Sequence, residues 1–191
     1  PPGNSPVAKV GNCGSEALTQ AEAQEILDWH NKFRCAVGTP PIEWDGALQC
    51  QAQQTQEEIG GFSHAQSYSL PISAGENLAT GTSGETASWM WFTEYTQADC
   101  TKGQGSKCGH YTAMVWKSST HLGCGIQKDG GGVIRCQYAA SPPNYGGQYA
   151  ANVPDFKGEA SKLAKCGLSI AEVKQHVQRY KGWGILHPIS P

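Results

Sequence analysis

Eight cysteines, spread from Cys13 to Cys166, constrain this chain more than any other feature. Their count is even, and no paired Cys-x-x-Cys units of the zinc type occur among them. In a small, glycine-rich chain that pattern favours disulfides over thiols or a metal cluster, and so an oxidising, secreted location. The 191 residues suffice for one well-cored domain and are short for two. The N-terminus, Pro1-Pro2-Gly3-Asn4-Ser5-Pro6, has neither a basic start nor an apolar core and reads as a mature end from which a signal peptide has gone. No apolar run approaches the roughly 20 residues that span a bilayer. A net charge of -2 and a pI near 6.3 give no electrostatic reason to expect nucleic acid as a partner. No Asn-x-Ser/Thr sequon is present, so N-glycosylation is not expected.

The chain divides into an N-terminal arm (1–18), a main domain (19–155) and a C-terminal extension (156–191). Thr19-Gln20-Ala21-Glu22 is a capping box, and the helix it opens buries Ile26, Leu27, His30 and Phe33 before Gly38 ends it. Asp45 caps a second helix running to about Ile59, with Gly60-Gly61 after it. Thr82-Ser83-Gly84-Glu85 repeats the capping pattern before a third helix that carries Trp89, Trp91, Phe92 and Glu94. Two β-prone runs flank Asp129-Gly130-Gly131-Gly132, predicting a hairpin from His121 to Ala139. Helices grouped before a late hairpin suggest an α+β fold in layers. In the extension, Ser169-Ile170-Ala171-Glu172 is another capping box, and Ile170, Val173, Val177 and Tyr180 share one helical face. Trp183, Ile185 and Leu186 follow. The segment reads either as a short helix packed back on the domain or as a partner-binding tail.

Gly109-His110-Tyr111-Thr112-Ala113-Met114-Val115-Trp116 is followed by Leu122-Gly123-Cys124-Gly125 and Cys136-Gln137-Tyr138. Upstream lie Phe62-Ser63-His64, Gly75-Glu76-Asn77-Leu78 and Trp91-Phe92-Thr93-Glu94. In that order these segments resemble the CAP superfamily of cysteine-rich secretory proteins, insect antigen 5 allergens and plant pathogenesis-related class 1 proteins. The likeness extends over roughly residues 21–152 and includes Leu27-Asp28-Trp29-His30-Asn31-Lys32-Phe33-Arg34 and Pro41-Ile42-Glu43-Trp44-Asp45. It implies a disulfide-stabilised, three-layer α-β-α sandwich around a small, mainly antiparallel sheet. It also implies that His64, Glu76, Glu94 and His110 converge in one cleft, with the two histidines on the metal side.

Spacing alone does not assemble those four residues. Once together, two imidazoles and two carboxylates suit a divalent cation, zinc through nitrogen and carboxylate or magnesium or calcium through the carboxylates. They also suit general acid–base work or a purely structural hydrogen-bond network. The His-Glu-x-x-His signature of zinc hydrolases and the Gly-x-Ser-x-Gly elbow are both absent. The resemblance therefore favours a secreted, non-enzymatic protein of defence, host interaction or venom-like secretion, binding a lipid or sterol, a divalent metal or a protein receptor. The alternatives are a metal-dependent hydrolase with Glu76 or Glu94 as base, and an interaction protein acting through loops and tail. Trp89, Trp91, Phe92 and Tyr95 either line a lipid groove or form core. His30 reads as a packed core residue and His121 as solvent-facing, while His176 and His187 fall outside the likeness.

The resemblance also implies bonds between Cys100 and Cys108, and between Cys124 and Cys136, where a bulge would bring the strands into range. Cys13, Cys35, Cys50 and Cys166 allow three connectivities. The expectation adopted pairs Cys35 with Cys50 and Cys13 with Cys166. A cysteine-dense C-terminal module is absent, which removes the basis for channel blocking. The stretch from Cys136 to Asn144 matches only loosely the plant segment proposed as the source of a signalling peptide.

Overall fold

A computed structural model describes residues 6–7, 9–97, 99–103 and 107–180. The first five residues of the arm, loop residues 104–106, and Trp183, Ile185, Leu186 and His187 lie outside the described residues. Helix α1 (Gln20–Val37) starts where Thr19 accepts the Glu22 amide while the Glu22 carboxylate accepts the Thr19 amide, so two free helix-end donors are satisfied reciprocally. It ends at Gly38, whose φ of 84° is left-handed. Asp45 accepts the amides of Ala47 and Leu48 and opens α2 (Gly46–Ile59). Helix α3 (Gly84–Thr93) differs from expectation by one residue: Ser83, not Thr82, is its cap and accepts the Thr86 amide. Glu94 has left that helix and opens a 3-10 turn, Glu94–Thr96. Helices α4 (Gly109–Val115), α5 (Tyr149–Asn152), α6 (Ala160–Lys165) and α7 (Ile170–Tyr180) complete the set among the described residues.

Four strands pair in the order β1 (Glu43–Trp44), β3 (His121–Gln127), β4 (Val133–Ala139), β2 (Gly75–Thr80). Only β1 with β3 is parallel. The hairpin loop, residues 128–132, leaves Cys124 directly opposite Cys136, so the bond between them needs no bulge. Side chains alternate between faces. Arg135 and Gln137 meet Gln56 and Gln51 of α2, whereas Tyr138 meets His30 of α1. A Cβ on Gly123 or Gly125 would run into the backbone of Leu48 and Gln49, or of Ala52 and Gln53. The Gly-Cys-Gly run thus lets α2 lie against one face and turns the disulfide to the other. There α1, α3 and α4 pack together, completing the α-β-α sandwich.

The core is rich in rings: Phe33 stacks on Phe92 at 4.1 Å, and Trp89 meets Phe33 edge-on at 4.8 Å. Helix α7 packs on α3, with His176 stacked on Trp89 at 4.0 Å. Leu163, Leu168, Val173 and Tyr180 belong to the same core, with Val177 packed against it and Ile170 left exposed. The extension's helix is therefore part of the domain rather than a free tail.

Two disulfides join other partners than expected: Cys13 bonds Cys50, and Cys35 bonds Cys166. The reason is layering. Cys35 on α1 and Cys50 on α2 sit in helices that cover opposite faces of the sheet. The first bond anchors the arm to α2, and the second anchors the C-terminal segment to the end of α1. Cys100 bonds Cys108 across the loop before α4.

Candidate functional site

Glu76 lies on edge strand β2 with its side chain on the α2 side of the sheet, where Arg135 and Gln137 also point. Its Oε1 accepts from His64 Nδ1 at 3.0 Å and from the Ala65 amide at 3.1 Å, and its Oε2 accepts from Gln137 Nε2 at 3.2 Å. Arg135 Nη1 faces Oε1 at 2.6 Å as an ion pair in which both side chains are nearly inaccessible. Burial works to raise the Glu76 pKa, but the bonds from His64, Arg135 and the Ala65 amide outweigh it and hold the carboxyl below its ordinary range. The guanidinium also donates to the carbonyl oxygen of Ser63 and to Gln56 Oε1. Arg135 therefore positions both the carboxylate and the loop that presents His64.

The second pair is built from α4. Glu94 accepts from His110 Nδ1 through Oε1 at 2.5 Å, and from the amides of His110 and Tyr111 through Oε2 at 2.9 and 3.2 Å. A carboxylate receiving the first free amides of a helix is held by both the bonds and the partial positive charge there. Asn77, the residue after Glu76, points to the opposite face and donates to the His110 carbonyl oxygen at 2.9 Å. The two His–Glu pairs are thus linked through adjacent residues of β2, with no direct hydrogen bond or ion pair between them among the described residues. With each Nδ1–H given to a carboxylate, a neutral ring carries its lone pair on Nε2. His110 Nε2 is buried and has no hydrogen-bond partner, while His64 remains partly exposed.

Next to the second pair runs a buried polar chain that sequence reasoning missed. His30 donates from Nδ1 to the Ile26 carbonyl oxygen at 2.8 Å and receives the Tyr138 hydroxyl at Nε2 at 2.9 Å. Tyr138 in turn accepts from Asn77 Nδ2 at 3.0 Å. Burial pushes the His30 pKa down to about 4, so the ring stays neutral and the chain keeps its polarity. Arg135 had a sequence signal, a lone charge between Ile134 and Cys136 in a β-prone run. Asn77 and Tyr138 lay inside recognised motifs without an assigned role.

Of the two readings of the aromatic stripe on the third helix, lipid groove or core, its residues take the core. Trp89, Trp91 and Phe92 are at most 2% exposed and pack as core, because that helix is covered by α1 and α7 on two sides. Only Tyr95, on the following turn, reaches an open cavity. Among the described residues no group of three or more His, Cys, Asp or Glu is placed to hold a metal ion. His121, at the start of β3, is partly buried and bonds the Thr120 hydroxyl.

Residues 27–138 match the sequence profile described as CAP: Cysteine-rich secretory protein family. Pathogenesis-related protein 1A of Nicotiana tabacum is 36% identical over 143 residues, 68% of this chain and 80% of that protein. Pathogenesis-related protein 1 of Arabidopsis thaliana is 35% identical over 69% of this chain and 84% of its own length. The solved structure titled NaASP2 with Zn2+ superposes with a TM-score of 0.64 at 21% identity, over 83% of this chain and all of its own, a likeness of fold.

Proposed function

The chain belongs to the cysteine-rich secretory protein family, and from that premise we propose an extracellular, non-enzymatic binding protein of defence or host interaction. Its cleft would take a zinc-type divalent ion through Nε2 of His64 and of His110. One observation carries the reading: the glutamates give their oxygens to protein donors, while the buried His110 Nε2 has none. A histidine oriented by a carboxylate on its other nitrogen is the arrangement metal ligands adopt. Magnesium and calcium prefer oxygen ligands, and here those oxygens are engaged, so imidazole nitrogen favours zinc. With two protein ligands the ion would be weakly held. It would supply Lewis-acid chemistry at that position.

The same engagement speaks against the hydrolase alternative. A general base needs an oxygen within reach of substrate or water, and Glu94 divides both of its oxygens among His110 and the Tyr111 amide. Four disulfides support an oxidising compartment. No helix among the described residues is long and apolar enough to cross a membrane. The relatives named as pathogenesis-related proteins support the defence setting.

Zinc titrated calorimetrically into chelator-treated protein should bind at one site, with His64→Ala and His110→Ala each weakening it about tenfold or more. Glu94→Gln should weaken it too, by about 10–100-fold, through loss of ring orientation. Equal affinity in wild type and both histidine variants would place zinc elsewhere.

A further inference from the structure

We propose that the cavity walled by Tyr95, Tyr111 and Phe156 binds a small organic ammonium ion of the choline type. The cavity has a volume of about 410 Å³, within the roughly 300–1,000 Å³ of small-molecule sites. Its rings stand at steep angles to one another: Tyr95 to Phe156 at 78° and 4.6 Å, Tyr95 to Tyr111 at 53° and 6.2 Å. Tyr95 and Phe156 thus touch edge to face and form an aromatic corner on the cavity, where a ring face can take a cation, while Tyr111 lines it from a buried position. Two carboxylates line the same cavity, and they differ. Asp99 is already answered by Lys102 at 3.0 Å and by the Thr101 hydroxyl at 2.6 Å. Asp155 is exposed and has no ion pair among the described residues, so one negative charge is left for the occupant.

A third observation points to a ligand. The Tyr111 hydroxyl is buried and has no hydrogen-bond partner, in a side chain 1% exposed. Burial, and after it the nearby Asp155 charge, push its ionisation upward, so it stays a neutral O–H. A hydroxyl-bearing ammonium matches all three elements: charge against Asp155, methyl groups against the rings, and its own oxygen for the Tyr111 hydroxyl. An anion would meet two carboxylates, and a purely apolar ligand would strip Asp155 of water with nothing in return. Pro154, Asp155 and Phe156 fall beyond the 27–138 stretch that matches the family profile. The site does not depend on His64 or His110 and stands apart from the cleft reading.

The full chain should be titrated with choline chloride and with its neutral isostere, in which a tert-butyl group replaces trimethylammonium. Choline is expected to saturate and to bind about tenfold tighter than the isostere. Asp155→Asn, at an exposed position, should lose about tenfold at unchanged thermal midpoint. Phe156→Leu, apolar but without a ring face, should lose about tenfold when compared at a temperature where both proteins are fully folded. Phosphatidylcholine vesicles serve as the second source of the same ammonium. Vesicle binding competed by choline supports the site with a lipid headgroup as occupant, and inert vesicles beside choline saturation support it with the free ion. Absence of saturation, equal affinity for the isostere, or wild-type affinity in both variants would overturn the proposal.

Discussion

At His30 the imidazole is sealed from water and bonded on both nitrogens. Its folded pKa of about 4 lies below the ordinary 6.5, so between those values the unfolded chain takes up a proton that the folded chain refuses. Stability should therefore be full above pH 6.5 and fall as pH drops towards 4, by up to about 3 kcal/mol at 1.36 kcal/mol per unit. Urea unfolding across that window checks it, and His30→Gln should flatten the slope; an unchanged slope would locate the titration in another group. Glu76 acts in the same direction at lower pH. Its depressed carboxyl contributes stability that is present above the ordinary carboxylate value and lost as pH falls through the folded value. Glu76→Gln leaves the buried Arg135 charge without its partner and should cost about 3–5 kcal/mol at neutral pH by chemical unfolding, less in acid.

Strand β3 and helix α2 are matched elements: the strand omits two side chains where the helix backbone comes closest. Gly125→Ala should destabilise by at least about 2 kcal/mol in thermal unfolding, since the obstacle is the α2 backbone rather than a flexible side chain. Ala at the exposed Gly131 meets no atom within 4 Å, but its φ of 94° keeps a smaller penalty. Local signals carried these elements well. The Thr19–Glu22 box, the Asp45 cap and the Asp129–Gly132 turn all act over a few residues, so they are legible in one dimension. The Thr82-Ser83-Gly84-Glu85 run offered two hydroxyl caps one residue apart, and the structure uses Ser83. The aromatics of α3 were ambiguous for a different reason: periodicity marks an apolar helix face, but not whether protein or ligand covers it.

Across the whole molecule, the bond from Cys35 to Cys166 spans 131 residues and fastens the C-terminal segment over α3. Paired Cys35→Ser and Cys166→Ser should lower stability by roughly 2–5 kcal/mol in chemical unfolding. Hydrogen exchange should then rise first in α7, which is held to the core otherwise by Val173, Tyr180 and the His176–Trp89 stack. Composition, caps and turn residues determined by themselves an oxidised, layered α+β domain, because those properties depend on residue type and short spacing. The two histidines and two glutamates were singled out as a candidate site only by the family resemblance of the ordered motifs. The cysteine pairing, the orientation of each histidine by its own glutamate, the burial of Arg135 and the chain from His30 through Tyr138 to Asn77 were decided only by the tertiary structure. Each depends on which face of the sheet a residue takes and which helix covers that face, and such contacts join positions as far apart as Cys35 and Cys166.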